Sequence, residues 1–99
     1  MKNISYDQAM KLIKMYNAKF VDTQLKTDYE KNHIKNSINI PIEEIKKKAY
    51  KYLPNKNELL IIYCQSGIRS VVACDMLKRL GYTNLYNIEN GLDGRNGEI

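Results

Sequence analysis

Seven residues, Cys64-Gln65-Ser66-Gly67-Ile68-Arg69-Ser70, stand between an apolar run and a stretch with helical periodicity, and their types and order suit sulfur chemistry. A cysteine at the end of a strand, followed at once by a turn containing Gly67, can have backbone N–H groups curled around its sulfur. A helix beginning at about Ser70 would add its own unpaired N–H groups and the positive end of its dipole. A thiolate at that centre is stabilised and a small anion is attracted to it, which makes Cys64 a candidate nucleophile. A helix N-terminus alone contributes about 0.3–1 kcal/mol, so the loop N–H groups and Arg69 must share the work.

The run Leu59-Leu60-Ile61-Ile62-Tyr63 reads as a buried strand, and Val71 to Leu80 as the helix behind the turn, with Gly81 as its left-handed C-cap. Upstream, Ser5 followed three residues later by Gln8 has the form of a capping box, which opens a helix to about Tyr16. Phe20-Val21-Asp22 reads as a short strand ending in a carboxylate, and Thr27 as the cap of a single turn through Glu30. Ser37 to Ile40 alternates as a brief strand. Pro41 then starts a helix with Ile42, Ile45, Ala49, Tyr50 and Leu53 on its apolar face and Lys46-Lys47-Lys48 on its solvated one, ended by Pro54-Asn55. Leu85 to Ile88 is a last strand, and Glu89 to Ile99 shows no apolar period.

Strands alternating with helices over connections this short predict an α/β fold, an open and mostly parallel sheet with helices on both faces. Asp22 and Cys64 both fall at carboxyl ends of strands, where such sheets place their ligand crevice.

Size and charge narrow the possibilities further. Ninety-nine residues, 43% hydrophobic, make a single domain spanning 1–99. No apolar run reaches the roughly 18 residues of a membrane span and no signal peptide is evident, so a cytoplasmic protein without a membrane partner is expected. Two cysteines do not form a disulfide framework, and a thiol in a turn fits a reducing compartment. The net charge of +5 is spread along the chain with no interleaved aromatics or binding module, which argues against nucleic acid.

In the order and spacing of these pieces the chain resembles a single-domain rhodanese, the thiosulfate sulfurtransferase family. The likeness runs through Phe20-Val21-Asp22, Asp28-Tyr29-Glu30, His33-Ile34, Ile38-Asn39-Ile40-Pro41, the Ile62 to Ser70 stretch, Leu80-Gly81-Tyr82 and Asn90-Gly91. Asn32, Asn36 and Asn90 stand where glycines are usual in the family, and Asn is the residue best able to replace glycine at positive φ. Gln24 stands where an arginine is usual, and Arg95 near the expected place of a tryptophan.

The resemblance implies a rhodanese-like fold and a sulfurtransferase working through a Cys64 persulfide. Gln65, Ser66, Gly67, Ile68, Arg69 and Ser70 would form the substrate-binding loop, and Asp22 and His33 would be structural. Ser66 and Ser70 are candidate hydroxyl donors to the sulfur or its anionic ligand, with Ser70 equally a plain N-cap. Arg69 would either hold the substrate anion or tie the loop to a carboxylate such as Asp22. Cys74, among apolar helix residues, reads as core. No metal or cofactor is called for. The donor would be thiosulfate or another sulfane-sulfur compound, and the acceptor a thiol, cyanide or a protein.

Two other functions compete with this one. A cysteine phosphatase or arsenate reductase needs a longer loop, of the form C-x5-R, to seat a tetrahedral oxyanion, whereas four residues separate Cys64 from Arg69. A non-catalytic binding or regulatory module of the same fold usually lacks the cysteine that this chain has.

Overall fold

A computed structural model describes residues 1–95 of the chain. The last four positions of the stretch expected to lack an apolar period, residues 96–99, lie outside the described residues.

The chain runs β1 (Lys2–Ile4), α1 (Tyr6–Met15), β2 (Ala18–Asp22), α2 (Lys26–Lys31), β3 (Ile38–Asn39), α3 (Ile45–Tyr52), β4 (Leu59–Tyr63), α4 (Ile68–Arg79) and β5 (Leu85–Ile88). Short 3-10 turns at Ile42–Glu44 and Gly91–Gly94 precede α3 and follow β5. The five strands form one sheet in the order β1-β5-β4-β2-β3, and every pairing is parallel. This is the expected α/β architecture.

Alternation along the central strand divides the interior in two. Leu60 and Ile62 of β4 face a core shared with Ile45, Ala49 and Leu53 of the α3 segment and Ala73, Cys74 and Leu77 of α4. Ile61 and Tyr63 face the other way, onto a core with Ala9 of α1, Phe20, Ile34 and Leu92. With helices on both faces, β4 is apolar throughout because neither side meets water.

Local signals set several boundaries. Ser5 caps α1 through the expected box: its Oγ accepts from the Gln8 amide at 3.1 Å, and Gln8 Oε1 accepts from the Ser5 amide at 2.9 Å. Gly81 ends α4 at φ +99°, with the Tyr82 amide reaching back to the Leu77 carbonyl at 3.1 Å.

Five expectations are corrected. Thr27 does not cap α2, which begins at Lys26 after Leu25 and has no side-chain cap. Pro41 opens a 3-10 turn, and the α-helix begins only at Ile45. Tyr50 is 72% exposed, since five residues on from Ile45 the chain has turned roughly 140° away from the buried face. Helix α4 starts at Ile68, two residues before Ser70. Of the three asparagines at glycine-like positions, only Asn36 takes positive φ, +69°, while Asn32 is extended and Asn90 has φ −108°.

Strand β1 is not among the expected elements. It holds one buried residue, Ile4, and exists through its pairing with β5, which no local pattern announces.

Candidate active site

Cys64 follows the last residue of β4, at the edge of the sheet's carboxyl ends, and is 2% exposed. Gly67 turns the chain at φ +92° and serves as the N-cap of α4. A Cβ there would lie 2.0 Å from the Glu89 carbonyl oxygen, so the position is closed to any side chain on two counts, φ and space. This turn brings the Gly67 amide to 3.1 Å and the Ser70 amide to 3.4 Å from Cys64 Sγ, with both N–H groups donating to the sulfur. The Ser70 hydroxyl is 3.5 Å from the same atom. A thiol donates to that hydroxyl, whereas a thiolate accepts from it.

The early start of α4 explains why Ser70 serves the sulfur. It is the third residue of the helix, so its N–H has no intrahelical acceptor and is available to the cysteine. Ser70 is therefore not an N-cap, and it is fully buried. Ser66 lines the cleft but does not reach the sulfur: its Oγ accepts from the Ile68 amide at 3.5 Å, and its side chain is exposed.

The carbonyl side of the loop is held by the 3-10 turn after β5. Leu92 N–H donates to the Cys64 carbonyl at 3.0 Å and Asp93 N–H to the Gln65 carbonyl at 2.9 Å. Gln65 Nε2 donates to Asp93 Oδ1 at 2.6 Å. These two contacts fix the outer side of the loop, while the amides that reach the sulfur, those of Gly67 and Ser70, belong to the Ser66–Gly67 and Arg69–Ser70 peptides. Gly91 makes this approach possible, because a Cβ on it would stand 2.2 Å from the Cys64 carbonyl oxygen. The dependence of the loop on Gly91–Gly94 was missed from sequence, although Asn90-Gly91 was the signal that could have revealed it.

Arg69 is exposed, and among the described residues it makes neither an ion pair nor a side-chain hydrogen bond. It does not tie the loop to Asp22. Asp22 is instead occupied by Gln24, whose amide donates to Oδ1 and whose Nε2 donates to Oδ2, both at 2.8 Å. Gln24 Nε2 also reaches the Asn32 carbonyl at 3.1 Å. Burial pushes the Asp22 carboxyl above its ordinary value, against the opposing pull of Tyr63, Gln24 and His33. A neutral amide at position 24 supplies hydrogen bonds to this carboxylate but no cation.

Register places Asp22 beside Tyr63, one residue before the cysteine. The Tyr63 carbonyl accepts from both the amide and the hydroxyl of Thr23 at 3.0 Å, which fixes the peptide leading into Cys64. The Tyr63 hydroxyl accepts from the Ile34 amide at 2.9 Å and donates to Ser37 Oγ at 3.0 Å, and burial pushes its pKa up. His33 stacks on Tyr29 with ring centroids 3.9 Å apart and bonds its carbonyl through Nδ1. It does not line the cysteine's cleft. Cys74 is buried in the core beneath α4, and burial pushes its thiol up to about 12.

The opening to Cys64 is a cleft of about 130 Å³ lined by Gln24, Leu25, Asp28, Gln65, Ser66 and Arg69. No cluster of metal-ligating side chains occurs among the described residues. A cysteine under two amide donors and a hydroxyl in a small cleft can attack an electrophilic atom as its thiolate.

This geometry can be set beside known proteins. A family model described as a rhodanese-like domain matches residues 5–97. The chain belongs to the rhodanese-like domain family. Over 68 residues it is 32% identical to the thiosulfate sulfurtransferase PspE of Escherichia coli (strain K12), a match that covers 69% of this chain and 65% of that relative. A rhodanese-like domain protein from Staphylococcus aureus has a TM-score of 0.81 at 29% identity, over 99% of this chain and 94% of that one. A structure of a rhodanese with anions from E. coli gives 0.71 at 30% identity, over 77% and 89% of the two chains. The rhodanese-like fold read from sequence is therefore the fold of this chain. No helix among the described residues is long and apolar enough to cross a membrane.

Proposed function

We propose that this rhodanese-like chain is a single-domain sulfurtransferase in which Cys64 carries the sulfur. In the first half-reaction the Cys64 thiolate attacks the outer sulfur of thiosulfate or a related sulfane donor. The donor's S–S bond breaks, its electron pair leaves with sulfite, and a Cys64 persulfide anion remains. In the second half-reaction a thiophilic acceptor, such as a thiol, cyanide or a protein cysteine, takes the outer sulfur and returns the thiolate. A cytoplasmic, reducing setting suits a chain that works through a free thiol.

The observation that carries this reading is the convergence of the Gly67 amide, the Ser70 amide and the Ser70 hydroxyl on one sulfur. A hydrogen bond to a charged acceptor contributes about 1.5–3 kcal/mol. The two amides are fixed before the reaction, and the hydroxyl can turn to donate once the sulfur is a thiolate, so together they favour an anionic Cys64 sulfur for the attack. Arg69, with no carboxylate partner among the described residues, is free to meet an anionic donor at the mouth of the cleft.

Intact-protein mass spectrometry before and after incubation with thiosulfate tests the reading. One added sulfur, mapped to Cys64 and removed by cyanide or a thiol, is expected. The same protein should release nothing from an aryl phosphate above the level of a Cys64→Ser variant. Cys64-dependent phosphate release without any persulfide would replace sulfur transfer with phosphatase chemistry.

A further inference from the structure

The cleft above Cys64 carries one charge of each sign. Arg69 belongs to the first turn of α4, and Asp28 belongs to α2. Both are exposed, and among the described residues neither side chain makes an ion pair or a hydrogen bond. The remaining lining is neutral: Gln24, Gln65, Ser66 and the apolar Leu25. A small dianion entering here meets a cation and an anion whose charges cancel.

We infer that the preferred sulfur donor is a low-molecular-weight persulfide bearing both an α-carboxylate and an α-ammonium group, held by Arg69 and Asp28 respectively. The inference rests on the sulfurtransferase reading and names its donor class. At neutral pH a free amino acid carries both charges on one carbon. Its carboxylate offers Arg69 a charge-assisted, bidentate contact, and its ammonium offers the same kind of contact to Asp28. Leu25 supplies an apolar wall for the side-chain methylene. The transfer balances as R–S–SH plus the Cys64 thiolate giving Cys64–S–SH and R–S⁻. One S–S bond forms as another breaks, the electron pair of the broken bond leaves on the departing thiolate, and the proton travels with the transferred sulfur. No oxidant or reductant enters.

The experiment compares three donors, cysteine persulfide, N-acetylcysteine persulfide and thiosulfate, by rate of Cys64 loading in the full chain and in Asp28→Asn. The N-acetyl compound keeps the carboxylate and lacks the ammonium. Asp28→Asn should slow loading from cysteine persulfide roughly two- to fivefold, the range of an exposed charge contact. It should speed loading from thiosulfate and from N-acetylcysteine persulfide by about twofold, since repulsion of a net anion is removed. Arg69→Gln should slow all three. Opposite signs for the zwitterionic donor and the two anionic ones support the inference. Equal shifts for all three donors, or no shift for any, would overturn it while leaving sulfur transfer in place. Failure of every donor to load Cys64 in the unaltered protein would sink the sulfurtransferase reading itself, and the donor class with it.

Discussion

The amide of Leu92 donates to the carbonyl of Cys64 at 3.0 Å, so the residue proposed as nucleophile is held by a turn 28 positions further along the chain. That contact and its neighbour from Asp93 to Gln65 occupy the outward side of the cysteine loop. The sulfur takes its amide donors from further along the loop, at Gly67 and Ser70. The orientation of the loop is thus a property of two segments together, and the weak point of the arrangement is the glycine that lets them touch.

Gly91→Ala is expected to damage both stability and sulfur loading. A methyl at position 91 would stand 2.2 Å from the Cys64 carbonyl and 2.7 Å from that of Gln65, on a backbone at φ +55°. Steric conflict of this kind at a positive φ costs about 1–3 kcal/mol when the backbone cannot yield. Gly94→Ala is the control, because among the described residues its Cβ would meet only the Asn90 Cβ, at 3.1 Å, at ordinary φ. Urea denaturation should show a clearly lower midpoint for Gly91→Ala and a small change for Gly94→Ala. Equal midpoints would mean that the turn does not brace the loop.

The two thiols should behave oppositely. Cys64→Ser should abolish transfer from thiosulfate to cyanide with the fold retained, whereas Cys74→Ser should keep most of the activity. In the native protein at pH 7.5 (a pH below about 12, where burial holds Cys74 protonated) iodoacetamide should label Cys64 and leave Cys74 unlabelled until denaturant is added. Peptide mapping of the alkylated protein reads this directly. Substantial turnover by Cys64→Ser would refute the assignment of the nucleophile.

Asp22 makes a prediction about pH. Its folded carboxyl is raised above the ordinary 3.8, chiefly by burial, so the folded chain binds this proton more tightly than the unfolded one. The corresponding stability is fully present below pH 3.8 and is lost as pH rises through the raised folded value. Asp22→Asn removes that titration and leaves the other carboxyls in place. The unfolding free energy of the native chain minus that of Asp22→Asn should therefore fall between pH 3 and pH 7. A difference that grows with pH would mean that the Gln24 hydrogen bonds outweigh burial.

What could be read from the residues was whatever chemistry stays local. The Ser5–Gln8 box, the apolar β4 run and the Gly81 cap each span a few residues, and each lies where the pattern puts it. Ile61 and Ile62 face different cores, and only a strand covered on both sides reconciles that with a continuous apolar run. Features that depend on a distant partner were not legible. Strand β1 needs β5, the Cys64 and Gln65 carbonyls need Gly91–Gly94, and the absence of an Arg69 contact to Asp22 goes with Gln24 occupying that carboxyl. Asparagine was a guide to positive φ only at position 36, because the glycine-like spacing fixes a backbone path and not a dihedral angle.

Ser70 allows the loop's donors to be separated by chemistry. Its amide and its hydroxyl both reach Cys64 Sγ, at 3.4 and 3.5 Å, and no other partner takes the hydroxyl among the described residues. Ser70→Ala deletes the hydroxyl while keeping the amide, and alanine in the first turn of α4 favours the helix. A hydroxyl that merely fills space would leave the loading rate unchanged. One that stabilises charge on sulfur should be missed most when the sulfur is anionic, with a loss of about 1.5 kcal/mol or more. Loading from thiosulfate should then slow by roughly tenfold, since 1.36 kcal/mol is one decade in rate. The denaturation midpoint should move little over the same change. A Ser70→Ala chain that loads at the native rate would leave the two backbone amides as the whole of the anion-stabilising device, and would restrict the hydroxyl to packing.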